Sequence, residues 1–204
     1  MIELKKKYME IKDEILHVAN EILEGSHYIL GKRVSDLEAY VKSYHGVNEA
    51  IGVASGIDAL HLSLKSLGMG PGDEVITSTF TFFATVELIL YTGAKSVFED
   101  IDSETYNIDP SLVEKKIKKH TKAIMPVHIF GHPADMEEIM NIGGGSGLKV
   151  VGDCAQAFGA SWHGRKTGSF CCICKGLLNF WVMAKEVFLC GAGFKRSTVA
   201  ADVS

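Results

Sequence analysis

No run of about 18 apolar residues occurs anywhere in the chain, so nothing in it reads as a membrane-spanning helix. The start, Met1-Ile2-Glu3-Leu4-Lys5, lacks the apolar core of a secretory signal. The expected location is the cytoplasm, with no membrane partner. A strong excess of one charge is also missing. The net charge is −4, which argues against a nucleic-acid partner. The clustered lysines (Lys5, Lys6 and Lys7; Lys115, Lys116, Lys118 and Lys119) are interleaved with Glu and apolar residues and read as solvated helix faces. Regular cysteine spacing is absent too. Cys154 stands apart from Cys171, Cys172, Cys174 and Cys190, an odd total of five that argues against a disulfide framework. These cysteines, with His163, lack the paired C-x-x-C ligands of a zinc site. No G-x-G-x-x-G follows the first strand, which sets aside a nicotinamide-binding domain. There is no internal repeat.

What is present is ordinary in bulk and specific in detail. A hydrophobic content of 47% and a charged content of 23% suit a globular chain. The 204 residues suit one α/β domain or a domain and a half, enough to bury a sizeable core. Helical periodicity runs over residues 4–25 through Ile11, Ile15, Val18 and Ile22. Ser35-Asp36-Leu37-Glu38 opens a second helix to about Tyr44. Strands are expected at 50–53, at Val75-Ile76, at 96–98, at 123–127 and ending at Val150-Val151. Helices are expected over 57–67, 82–91, 109–119 and 134–142, the third with Pro110 just inside its start. This alternation predicts a parallel sheet covered on both faces, an α/β three-layer αβα sandwich. Gly143-Gly144-Gly145-Ser146-Gly147 reads as a flexible connector into the last of these strands. It leads into a strand and not into a helix N-terminus, which weighs against a phosphate-binding loop.

Several segments carry chemistry. Asp153 ends a buried strand, where open α/β sheets place their ligands. A carboxylate there needs a cationic partner, and a pyridinium nitrogen is one. The alternative is Asp153 as a helix N-cap, with Gln156 completing a capping box. Ser55-Gly56 lies at a strand-to-helix turn, where glycine lets an anion approach the first amides of the helix. A plain N-cap is the alternative. In Thr79-Phe80-Thr81-Phe82-Phe83-Ala84-Thr85 an aromatic ring at the sheet mouth can stack on a flat heterocycle, or the three phenylalanines are core. His128 and His132 are four apart, but Gly131 and Pro133 break any helix between them, so a hydrogen-bonded histidine at a strand end is expected.

Taken in order, the segments resemble the DegT/DnrJ/EryC1/StrS family of sugar aminotransferases. The resemblance is carried by Tyr28-Ile29-Leu30-Gly31-Lys32, Gly52-Val53-Ala54-Ser55-Gly56-Ile57-Asp58-Ala59-Leu60 and Gly70-Pro71-Gly72-Asp73-Glu74-Val75-Ile76. It continues through Thr81–Thr85, Tyr106-Asn107-Ile108-Asp109-Pro110, Thr121–Ile124, Val127-His128 to Gly131, and Asp153–Ala160. The resemblance implies the aspartate-aminotransferase fold (fold type I) and the cofactor pyridoxal 5'-phosphate. It implies that Ser55 and Gly56 hold the cofactor phosphate, Phe82 stacks on the pyridine ring, Asp153 pairs with the ring nitrogen and Gln156 contacts the ring oxygen. Amino transfer from an amino acid, usually glutamate, to a keto-sugar nucleotide is implied, in polysaccharide or amino-sugar biosynthesis. A homodimer is implied as well. A sugar dehydratase using the same cofactor lies within the same family.

The resemblance breaks after Thr167-Gly168-Ser169-Phe170. The family continues with Gly-Asp and then Ser-Phe ahead of the Schiff-base lysine. This chain has Cys171-Cys172-Ile173-Cys174-Lys175-Gly176 instead. Lys175 comes too early and Lys185 slightly too late for that lysine, and no histidine stands in its place. The expected division is an N-terminal helical segment over 1–30, an incomplete large cofactor domain over 31–170 and an aberrant tail over 171–204. The tail is expected to be read in a shifted frame or otherwise replaced. The alternative function is therefore a catalytically inactive, truncated fragment. Missing later strands would leave a sheet edge unpaired and the chain aggregation-prone.

Overall fold

The computed structural model describes residues 4–171, 173–175 and 181–184. The chain divides into two units, Met1–Tyr40 and Val41–Ser204. In the first, α1 (Leu4–Gly25) follows the expected periodicity, yet it buries none of its residues. α2 (Lys32–His45) starts three residues before the expected Ser35. Arg33 pairs with Glu21 across these helices.

The second unit alternates strands and helices as predicted: β1 (Glu49–Gly52), α3 (Gly56–Ser66), β2 (Glu74–Ser78), α4 (Phe83–Tyr91), β3 (Lys95–Glu99), α5 (Pro110–Lys116), β4 (Thr121–Met125), α6 (Met136–Gly145) and β5 (Lys149–Asp153). A short hairpin, β6 (Ser161–Trp162) with β7 (Arg165–Lys166), follows. β8 (Ile173–Lys175) and β9 (Trp181–Ala184) complete a seven-stranded sheet in the order β1-β9-β8-β5-β4-β2-β3. β2, β3, β4, β5 and β8 pair in parallel. β9 runs antiparallel to both its neighbours, β1 and β8. In the β5–β8 register Lys175 is the partner of Asp153. Most of the tail, Lys185 included, lies outside the described residues.

Successive residues of a strand point to opposite faces, and both faces of β2, β4 and β5 are covered. Val75, Ala123, Met125 and Val151 join Leu60, Leu64, Leu88 and Ile89 from α3 and α4 in one core. Ile76, Ile124 and Val150 join Val113, Met136 and Ile139 from α5 and α6 in the other. Burial on both faces is why β2, β4 and β5 carry adjacent apolar residues, Val75-Ile76, Ala123-Ile124-Met125 and Val150-Val151, and no alternation. The result is the three-layer αβα sandwich, with β2, β4 and β5 buried between its two cores.

Two expectations need correction. Gly143, Gly144 and Gly145 are not a connector; they form the last turn of α6. A Cβ on Gly143 would lie 2.8 Å from Cγ2 of Val150, so glycine is what lets α6 settle onto β5. The expected helix over 109–119 stops early, because Ile117 is already extended (φ −65°, ψ 126°).

Candidate active site

Functional side chains in an open parallel sheet gather where the strands end. Ser55 and Gly56 follow β1, Phe82 follows β2, and Asp153 with Gln156 closes β5. Together they line one cavity of about 270 Å³, along with Ile57, Ala84, Val127 and Ala155. Ligand sites begin at about 300 Å³, so the cavity suits one small ring and little more.

Ser55 is the N-cap of α3. Its Oγ accepts from the Asp58 N–H at 3.1 Å and donates to Asp58 Oδ2 at 2.6 Å. The capping alternative is therefore realised, and it coexists with a place in the cavity wall. The first amides of α3, from Gly56 and Ile57, have no acceptor within the helix and carry its positive end. Phe82 occupies the N-cap of α4 and makes no side-chain cap bond. Phe80, Phe82 and Phe83 are 42%, 69% and 70% exposed, which overturns the reading of the three rings as core.

Asp153 is 4% exposed. Its Oδ1 accepts from the Ala155 N–H at 3.0 Å, and its Oδ2 from Thr85 Oγ1 at 3.4 Å. Thr85 in turn receives the Thr81 hydroxyl at 3.0 Å. No helix starts at Asp153, which leads into turns, so the capping box is not formed. Gln156 turns its Oε1 to the Phe130 N–H at 2.9 Å instead. His128 is fully buried, and its Nδ1 accepts from the Ala134 N–H at 3.0 Å. That bond places the ring proton on Nε2.

Sequence reasoning passed over Thr85 and Asn107, although both sit in the quoted segments. Asn107 is 2% exposed. Its Oδ1 accepts from the Ile129 N–H at 3.1 Å, and its Nδ2 donates to the His132 carbonyl at 3.2 Å. The four-residue spacing of Thr81 and Thr85 was the one signal available for the hydroxyl chain.

The set fits a phosphorylated pyridine. A helix N-terminus offers amides to an anion, an aromatic ring offers a stacking face, a buried carboxylate offers charge to a ring cation, and an amide flanks it. The chain matches the model of the DegT/DnrJ/EryC1/StrS aminotransferase family over residues 9–174. It is 48% identical over 168 residues to a pleiotropic regulatory protein of Geobacillus stearothermophilus, covering 82% of this chain and 45% of that one. It is 47% identical over 170 residues to a UDP-N-acetyl-3-dehydro-alpha-D-glucosamine 3-aminotransferase of Acidithiobacillus ferrooxidans, covering 83% and 46%. The chain thus spans about half the length of these curated relatives.

Among solved structures, S. venezuelae DesV with a ketimine intermediate superposes with a TM-score of 0.86 at 35% identity, over 91% of this chain and 53% of that one. An NtdA structure from Bacillus subtilis with bound cofactor PMP superposes with a TM-score of 0.80 at 29% identity, over 87% and 42%. Sheet order, cavity and sequence agree on one origin: the chain belongs to the DegT/DnrJ/EryC1/StrS aminotransferase family.

Proposed function

We propose that this chain is the cofactor-binding part of a pyridoxal-phosphate-dependent aminotransferase, moving an amino group from glutamate to a keto-sugar nucleotide. Residues 31–170 form the cofactor domain in this reading, and a homodimer in the cytoplasm is the working form. One observation carries it: the expected residues Ser55, Gly56, Phe82, Asp153 and Gln156 share a single cavity at the strand ends. The activities of relatives, such as the 3-aminotransferase above, favour an aminotransferase over an inactive chain.

Bound pyridoxal phosphate would supply an electron sink for breaking bonds at the amino-bearing carbon. The chain's own residues have separate tasks. The α3 amides with Ser55 and Gly56 anchor the phosphate. The Phe82 ring covers one face of the pyridine and keeps water from it. Asp153 keeps the ring nitrogen protonated, because its buried carboxylate favours an adjacent cation. Gln156 holds the ring oxygen.

The test is a visible spectrum of the purified chain with pyridoxal phosphate, followed by dialysis, borohydride reduction and peptide mapping. Cofactor retained through dialysis is the expected result, and peptide mapping after reduction shows whether a lysine holds it covalently. Asp153→Ala should weaken retention by about ten- to a hundredfold, the size of a lost charge-assisted bond. A spectrum of free cofactor that washes out completely would sink the reading.

A further inference from the structure

Three loops meet beside the cavity, and one buried side chain joins two of them. Asn107, after β3, accepts from Ile129 and donates to the His132 carbonyl. It therefore brackets residues 129–132, after β4. Within that bracket Phe130 is left-handed (φ 52°, ψ 26°), a conformation that costs a non-glycine residue about 1 kcal/mol or more. Gly131 follows at φ 82°, with a Cβ there placed 3.5 Å from the Gln156 carbonyl oxygen. The His128 N–H binds the Asp153 carbonyl at 3.0 Å, which ties the same loop to the end of β5. The strained turn is thus held from both sides. Its product is a Phe130 N–H aimed at Gln156 Oε1.

An amide side chain has one accepting end and one donating end. With Oε1 taken by the Phe130 N–H, Nε2 is the remaining polar atom of Gln156. We propose that Asn107 is a positioning residue: it holds the Phe130 amide in place, and that amide fixes Gln156 with Nε2 as the donor at the cavity. This rests on the cofactor reading above, in which Gln156 meets the ring oxygen, an acceptor. A Gln156 turned the other way would set its carbonyl against that oxygen and weaken binding.

The experiment has a ligand-free arm and a cofactor arm, both on the full chain. In the first, NMR follows the Phe130 amide exchange rate and the two side-chain NH₂ signals of Gln156. Asn107→Ala should speed Phe130 exchange by about tenfold, the worth of one hydrogen bond near the upper end of its range. It should also collapse the Gln156 signals toward those of free glutamine. Asn107→Asp keeps the acceptor for Ile129 but loses the donor to the His132 carbonyl, so it should restore only part of either. Unchanged Phe130 and Gln156 signals in a folded Asn107→Ala chain would overturn the positioning role.

In the second arm, pyridoxal phosphate is titrated into wild type, Asn107→Ala, Gln156→Ala and the double variant. The single variants should each bind about tenfold more weakly, and the double variant no more weakly than Gln156→Ala. Additive losses would overturn the coupling. A wild-type chain that binds no pyridoxal phosphate would refute the cofactor reading, and the NMR arm would still decide the positioning role.

Discussion

Two helices begin at the same cavity and begin differently. α3 opens with Ser55, whose Oγ accepts from the third residue of the helix. α4 opens with Phe82, which caps nothing and leaves its ring 69% exposed. Away from the cavity, α5 and α6 are capped by Asp109 and Asp135. Local stability explains three of these starts and fails at the fourth. A serine, aspartate or asparagine at Phe82 would stabilise α4 by about 1 kcal/mol, and the exposed ring recovers little of that by burial. In the proposed cofactor reading, the broken local rule at this cavity wall is what a position kept for stacking would show.

The contrast can be broken by substitution. Ser55→Ala should have the largest combined effect. Melting should fall by about 2–4 °C for a lost cap of about 1 kcal/mol, and pyridoxal phosphate affinity by about three- to tenfold. Phe82→Ser should move the two readouts in opposite directions. Calorimetry should show melting raised by about 2–4 °C, while cofactor titration shows weaker binding. A fall in both would erase the distinction between the helix starts. Asp135→Ala, on α6, should lower melting by a similar amount and leave cofactor affinity alone; a change in affinity would mean that caps act across the sheet.

The smallest effect concerns Asp102, in the loop after β3. Its carboxyl is held below the ordinary range by the Thr105 N–H, then the Thr105 hydroxyl, then the Glu104 N–H. A lowered folded value gives stability that is present above the ordinary carboxylate range, near pH 3.9, and is lost as pH falls through the lowered value. An NMR titration should place Asp102 below a free aspartate, and Asp102→Asn should flatten that part of the acid limb. An unshifted titration would remove Asp102 from the account of this loop.

The alternation of elements was legible because β2, β4 and β5 are apolar on both faces and the helices between them carry their own periodicity. The end of α6 was not. Glycine costs about 1 kcal/mol in a helix interior, so a glycine run reads as a loop. The cause at Gly143, where a Cβ would lie 2.8 Å from Val150 Cγ2, is tertiary. The cavity residues were legible as an ordered set of segments more than as single residues. Phe82 shows why: hydrophobicity alone does not tell a core ring from a wall ring. Thr85 and Asn107 escaped because their partners lie 68 and 22 residues away in the chain, and no periodicity records such distances.

The Asp153 carboxylate has a final consequence. One oxygen is taken by the amide two residues on, and the other by a hydroxyl that is itself held by a second hydroxyl. Its torsion is therefore locked before any ligand arrives. A mobile aspartate would spend rotamer entropy on each encounter, and surrounding dipoles would have to reorient around the incoming charge. Here that reorganisation is complete when the chain folds, so a ring cation would meet an electrostatic field already pointing its way.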